Sequence, residues 1–271
     1  MVVRHALLLL CLVLGVGPAA AVVVDGRSPE RAERPPRDDP GWQHVVRRGG
    51  TSAIYLGDGW VLTARHAGMG EVKLDEQVYP AVPDSMFWLD TPGAQGVKAD
   101  LILFRVDPAP ALPRLAISRE RPEMGAKLIL VGYGGGIGEP TEWNGRPGFQ
   151  RARNGFKRWG TNLAEPGLGI VPGPQGTLTR CFEMTFSSRG TPHEAQAAVG
   201  DSGGAVFAQG AEGWELAGVM VAVGTMPGQP RPLTLYGNST SAADLSLYRP
   251  QILRVMAGQE PRPAPPPPTA D

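Results

Sequence analysis

The sequence predicts an all-β protein, barrel or sandwich, and three observations carry that prediction. Valine, leucine and isoleucine recur in blocks of strand length, glycine-rich turns separate the blocks, and only one segment has helical spacing. Glycine and proline supply 37 and 28 of the 271 residues, which suits many tight turns and suits a helical protein poorly. The apolar blocks also set the chain apart from disordered sequences rich in glycine and proline. A chain of this length has ample material for a core.

Taken in order, residues 1–21 read as an export signal. Arg4 and His5 form a basic start, residues 6–16 an apolar run, and Ala19-Ala20-Ala21 a small-residue cleavage site. A membrane anchor is the competing reading, but the run is shorter than the ~20 residues a span needs. A secreted or periplasmic protein is expected, with no membrane contact after signal removal. Residues 22–41 form a charged leader in which Arg27, Arg31, Arg34 and Arg37 alternate with acids, a pattern expected to be solvated and mobile. The main domain spans residues 42–258. Its first strands are expected at 44–48, 52–56 and 60–64, punctuated by Gly49-Gly50 and Gly57-Asp58-Gly59. Further strands are expected at 101–106, 127–133, 176–186, 204–208 and 214–223, and residues 134–169 read as an extended surface loop system.

The single helix is expected at 241–256, with Ser241 as its cap, Asp244 in the first turn, and Leu245, Tyr248, Ile252 and Val255 at helical spacing. Pro250 is expected to kink or divide it. Residues 259–271 are proline-rich, which fits a polyproline spacer or a disordered end.

Several function classes fall away. Lys plus Arg and Asp plus Glu balance at 26 each, so no charge argument favours nucleic acid or an anionic membrane. Four histidines, two cysteines and no spaced acid cluster predict no metal site. No phosphate-binding glycine loop precedes a helix, so no nucleotide or other cofactor is expected. Signal removal would leave only Cys181, which excludes an intrachain disulfide and reads as a small buried apolar residue rather than a nucleophile. His193 reads as a loop histidine, and Trp159-Gly160-Thr161-Asn162 as packing. Asn238-Ser239-Thr240 is a glycosylation sequon, relevant only in a eukaryotic secretory route. A monomer is expected.

Chemistry concentrates in three segments. Gly200-Asp201-Ser202-Gly203-Gly204 sets a hydroxyl in a glycine-flanked turn, where main-chain N–H groups can face a reacting carbonyl. Alone, this segment equally fits an ordinary turn. Trp60-Val61-Leu62-Thr63-Ala64-Arg65-His66 ends an apolar strand with an imidazole, which fits either a general base or a hydrogen-bonded structural histidine. Ala99-Asp100-Leu101-Ile102-Leu103-Phe104 begins a strand with a carboxylate, which fits either a solvated cap or the acceptor that fixes a histidine tautomer.

Together, in the order His, Asp, Ser, these segments resemble the trypsin-like (chymotrypsin-fold) serine proteases, and more narrowly the disulfide-free bacterial secreted type. Trp214-Glu215-Leu216-Ala217-Gly218-Val219 resembles the strand that follows the nucleophile in that family, and the resemblance spans roughly residues 41–256. It implies two antiparallel six-stranded β-barrels with the active site between them, plus a C-terminal helix, divided near residues 113–122. It implies an endopeptidase acting on protein or peptide through an acyl-enzyme. In it His66, Asp100 and Ser202 are catalytic, and the N–H groups of Gly200 and Ser202 form the oxyanion hole.

The chain also departs from the family. Ala67 and the Gln196-Ala197-Ala198-Val199 stretch stand where animal members carry cysteines, and Arg65 replaces a small residue. Gln196, Val221 and Val223 are the expected pocket residues, and without an acid at Gln196 a preference for Lys or Arg is not expected. A small or medium apolar substrate side chain fits better. In the family a freed Ile or Val amine pairs with the aspartate before the serine, here Asp201. No Lys or Arg of the leader precedes Ile or Val, whereas cleavage after Ala21 would expose Val22. Two readings stay open: signal removal supplies that amine, or Val22 is a flexible end and Asp201 has another partner.

Overall fold

A computed structural model describes residues 22–25, 32–152, 155–167 and 169–260. The expected export signal, residues 26–31 of the leader and residues 261–271 of the tail lie outside the described residues. The chain enters with a two-residue strand, β1 (Val23–Val24), followed by seven strands that form the first sheet. These are β2 (Val45–Arg48), β3 (Thr51–Gly57), β4 (Trp60–Ala64), β5 (Val72–Leu74), β6 (Gln77–Tyr79), β7 (Phe87–Asp90) and β8 (Lys98–Arg105), in the order β6-β5-β2-β3-β4-β8-β7. After a crossing segment the second half supplies β9 (Lys127–Gly132), β10 (Gly136–Trp143), β11 (Arg146–Ala152), β12 (Arg158–Leu163), β13 (Gly169–Pro172) and β14 (Leu178–Thr185). It continues with β15 (Ala195–Gln196), β16 (Ala205–Gly210), β17 (Gly213–Gly224), β18 (Leu233–Leu235), β19 (Ser239–Asp244) and helix α1 (Leu245–Met256). The second sheet runs β12-β9-β16-β17-β19-β14-β13, also antiparallel.

The all-β class with one C-terminal helix is as the sequence predicts. The barrels differ in detail: each of the two main sheets has seven strands, not six, neither closes on itself, and β10, β11 and β18 form a separate three-stranded sheet. The outer strands β6 and β7 of the first sheet, and β12 and β13 of the second, each pair on one side only within their sheet.

Three further expectations change. Residues 134–169 are not an irregular loop. They contain the β10–β11 hairpin, turned through Asn144 and Gly145 at φ +50° and +72°, and the strand β12, paired along its length with β9. Asn-Gly between two strands is the residue pair that such a turn demands, but neither flank alternates apolar and polar residues. The helix begins at Leu245 rather than Ser241, because Ser241 pairs with Glu183 and Ala222 inside the sheet. Asp244 is the cap, its carboxylate accepting from the Ser246 N–H at 3.1 Å, and the helix runs on through Pro250. The leader is docked in part: Val22 and Val23 are fully buried, and β1 pairs with β15.

One apolar core joins the halves. Val45, Leu62 and Leu101 of the first sheet share it with Val131, Phe207 and Val219 of the second, and Leu245, Tyr248 and Ile252 of α1 close one end. The helix also clamps the first sheet, since Gln251 Oε1 accepts from the Asp90 N–H at 3.0 Å. Cys181 is buried within β14, and burial pushes its thiol pKa up, as suits an inert apolar residue.

Candidate active site

The first half delivers a histidine and an aspartate to one point. Strand β4 is buried along its whole length and ends in a single 3₁₀ turn, Arg65–Ala67, which carries His66 out to the surface. Strand β8 pairs antiparallel with β4, Ala64 opposite Leu101, so the residue before Leu101 lies beside the 3₁₀ turn. That residue is Asp100, only 4% exposed. Its two carboxylate oxygens accept from the His66 backbone N–H at 2.9 Å and contact His66 Nδ1 at 2.6 Å. With Nδ1–H bound to a carboxylate, Nε2 is left as the acceptor nitrogen. Asp100 is fixed in turn by its own N–H, which donates to Thr179 Oγ1 of β14 at 2.9 Å. Arg65, unexpected in this position, lies 4.9 Å above the Trp88 ring, a cation–π contact outside the cluster.

The second half delivers the serine. The turn before β16 is closed by the Gly204 N–H donating to the Asp201 carbonyl at 2.7 Å and the Asp201 N–H to Ala198 at 3.0 Å. The Gly203 N–H donates to Met220 on β17 at 2.9 Å. Gly200 and Gly203 adopt φ +101° and +85°, the left-handed region that a side chain disfavours. Ser202 Oγ then lies 2.7 Å from His66 Nε2. Neither Gly200 nor Ser202 donates its backbone N–H to a protein acceptor among the described residues.

Across the junction Ser52 of β3 sews the two halves together. Its N–H donates to the Ser202 carbonyl and its hydroxyl to the Gly200 carbonyl, both at 3.1 Å, while its Oγ accepts from the Tyr133 N–H at 2.9 Å. Ser52 was not legible as a site residue, because nothing in its strand distinguishes it from any other small polar residue.

Beneath the serine turn, Asp201 is wholly buried. Its carboxylate accepts from the Gly134 and Ala198 N–H groups, each at 2.8 Å, and from the Val22 backbone N–H. Burial nevertheless dominates and pushes its pKa up to about 7. Val22 itself has φ +45°, an outlier for a β-branched residue.

Two clefts meet at the cluster. One, of about 410 Å³, is lined by His66, Ser202, Val221 and Val223. The other, of about 240 Å³, lies on the Asp100 side against Pro172 and Val221. Gln196 lines neither; it is buried in β15 opposite Val23, its Oε1 without a partner. His193 packs against Trp159 with the two rings tilted by 45° and their centroids 4.4 Å apart. No group of three or more His, Cys, Asp or Glu side chains gathers among the described residues.

Two antiparallel sheets, a serine turn from the second meeting a histidine and an aspartate from the first, and a closing C-terminal helix make this the chymotrypsin-like fold. Solved structures agree on the fold. Rv3671c of Mycobacterium tuberculosis, as an inactive mutant, is 16% identical over 88% of this chain and 100% of that one, with a TM-score of 0.50. A mutant of human heparin binding protein is 16% identical over 85% and 98% of the two chains, at 0.53. Neuropsin, a serine protease of mouse brain, is 18% identical over 80% and 96%, at 0.52. No protein-family model matches the sequence, and no curated protein matches it.

Proposed function

We propose that the chain is a secreted or periplasmic serine endopeptidase, with Ser202 as nucleophile, His66 as general base and Asp100 as the group that orients His66. The observation that carries this reading is the unbroken relay Ser202 Oγ to His66 Nε2 at 2.7 Å and His66 Nδ1 to Asp100 at 2.6 Å. In the reaction, a bond forms between Ser202 Oγ and the substrate carbonyl carbon as His66 takes the hydroxyl proton. The Gly200 and Ser202 N–H groups receive the oxyanion. His66 then hands the proton to the leaving amine as the peptide C–N bond breaks, and water hydrolyses the acyl-enzyme by the same route. A fluorophosphonate probe tests this reading. Wild-type protein should be labelled and digest casein, and Ser202→Ala should lose labelling and at least about 10⁴-fold of turnover. A folded wild type without adduct would refute it, and ester turnover without proteolysis would narrow it to an esterase.

We further propose that removal of residues 1–21 completes the site. A free Val22 amine would meet Asp201 as an ammonium, giving the buried carboxylate the counter-charge that an amide cannot supply. The support is the burial of Val22 and its N–H donation to Asp201. Cleavage before Val22 would also remove the torsional constraint recorded in its positive φ.

A further inference from the structure

The cleft beside Ser202 contains one permanent charge. Arg151 of β11 lines it with Thr51, Ala197, Val223 and Thr225, and no Asp or Glu shares the lining. The arginine is held by its backbone N–H, which donates to the Pro232 carbonyl at 2.7 Å, and by Nη2, which donates to the Arg231 carbonyl. Its Nε is buried without a partner, and no carboxylate pairs with it among the described residues. Burial lowers its pKa, and no neighbouring acid opposes the shift.

A half-buried cation without a counter-ion is an unfavourable arrangement until an anion reaches it. The planar guanidinium matches a carboxylate through parallel N–H donors better than it matches any neutral group. Ala197, Ala198 and Val223 line the same cleft as small apolar walls that would accept side-chain methylenes. From this geometry we propose that Arg151 binds the side-chain carboxylate of the residue whose carbonyl Ser202 attacks, so that the enzyme cleaves after Glu or Asp. The proposal rests on the endopeptidase reading of the same site. It replaces the apolar preference expected from the sequence, because Arg151 lies in the stretch that read as loop and belongs to no motif.

The experiment uses the protein beginning at Val22 and fluorogenic peptides that differ only in the residue before the cleaved bond: Glu, Asp, Gln, Asn, Leu or Arg. Glu or Asp should exceed its neutral amide counterpart in kcat/KM by roughly tenfold to a hundredfold, the range of a charge-assisted hydrogen bond. Arg151→Gln should collapse that ratio toward one, Arg151→Lys should retain part of it, and Arg151→Glu should favour Arg over Glu. Thermal melts of each variant exclude misfolding as the cause, and the charge-reversed preference is a gain that misfolding cannot mimic. A wild type that takes the fluorophosphonate and cleaves Gln or Leu as well as Glu overturns the acidic preference and leaves the endopeptidase reading standing. A wild type that takes no probe overturns both.

Discussion

Gly203 shows how little room the serine turn has. A Cβ built there would lie 2.1 Å from Thr63 Oγ1 and 2.2 Å from the Ser52 carbonyl oxygen, and its φ of +85° already disfavours any side chain. Thr63 cannot simply rotate away, because its hydroxyl donates to that same Ser52 carbonyl at 2.8 Å. Gly203→Ala is therefore expected to lower unfolding free energy by about 2–4 kcal/mol, the range for strain plus overpacking in a buried turn. A urea titration followed by tryptophan fluorescence measures it, and a loss below about 0.5 kcal/mol would mean the turn can shift as a unit. The residues that a reader of the sequence would single out, Ser202, His66 and Asp100, depend on such unremarked neighbours for their positions. Ser52, Thr63 and Thr179 carry no local signature, since a serine or threonine in a strand is commonplace.

Elements were legible where a buried face repeats. Strands β4 and β8 read clearly because each is an almost continuous apolar run, as a strand covered on both faces should be. Strands β10 and β11 are not legible in the sequence because they are half-exposed and mix glycine, proline and charge, so only the Asn144-Gly145 turn announces them. The helix is legible through its spacing, but its start is ambiguous in the sequence because Ser241 and Asp244 are both competent caps. What decided between them was the pairing of Ser241 with Glu183 and Ala222 in the sheet. Asp244→Ala is accordingly expected to cost about 1 kcal/mol through loss of the cap to Ser246, measurable as a shift in urea midpoint. Ser241→Ala should leave the helix cap intact. The opposite ranking would restore Ser241 as the helix start.

At the scale of the whole molecule, segment 22–25 lies buried against the serine turn, and the proposed pairing of Val22 with Asp201 predicts that stability depends on what precedes Val22. With Val22 amide-linked, the buried Asp201 carboxyl titrates at about 7 in the fold, against about 3.9 when unfolded. The folded state then holds that proton more tightly, so the contribution of Asp201 to stability is fully present below about pH 4 and is lost as pH rises from about 4 to 7. On the proposed pairing, a free Val22 ammonium would reverse the local sign. The stability of that pair persists at neutral pH and is lost as pH rises through the amine's folded pKa, above the ordinary range of about 8. Protein beginning at Val22 and protein retaining Ala21 should therefore diverge in urea stability between pH 5 and 7, the extended form losing ground. Parallel pH curves would show that Asp201 is satisfied without the amine.

The sequence by itself determined the fold class and the chemical groups of the candidate site. Both are written in contiguous residues: apolar runs with glycine turns for the sheets, and three short segments for the hydroxyl, the imidazole and the carboxylate. Tertiary structure alone decided what surrounds those groups. Ser52 meets Gly200 across 148 positions, Val22 reaches Asp201 from the far end of the chain, and Arg151 enters the cleft from a hairpin that looked like a loop. Such partners are chosen by how two sheets pack against each other, and local propensity has no term for a contact made at that separation.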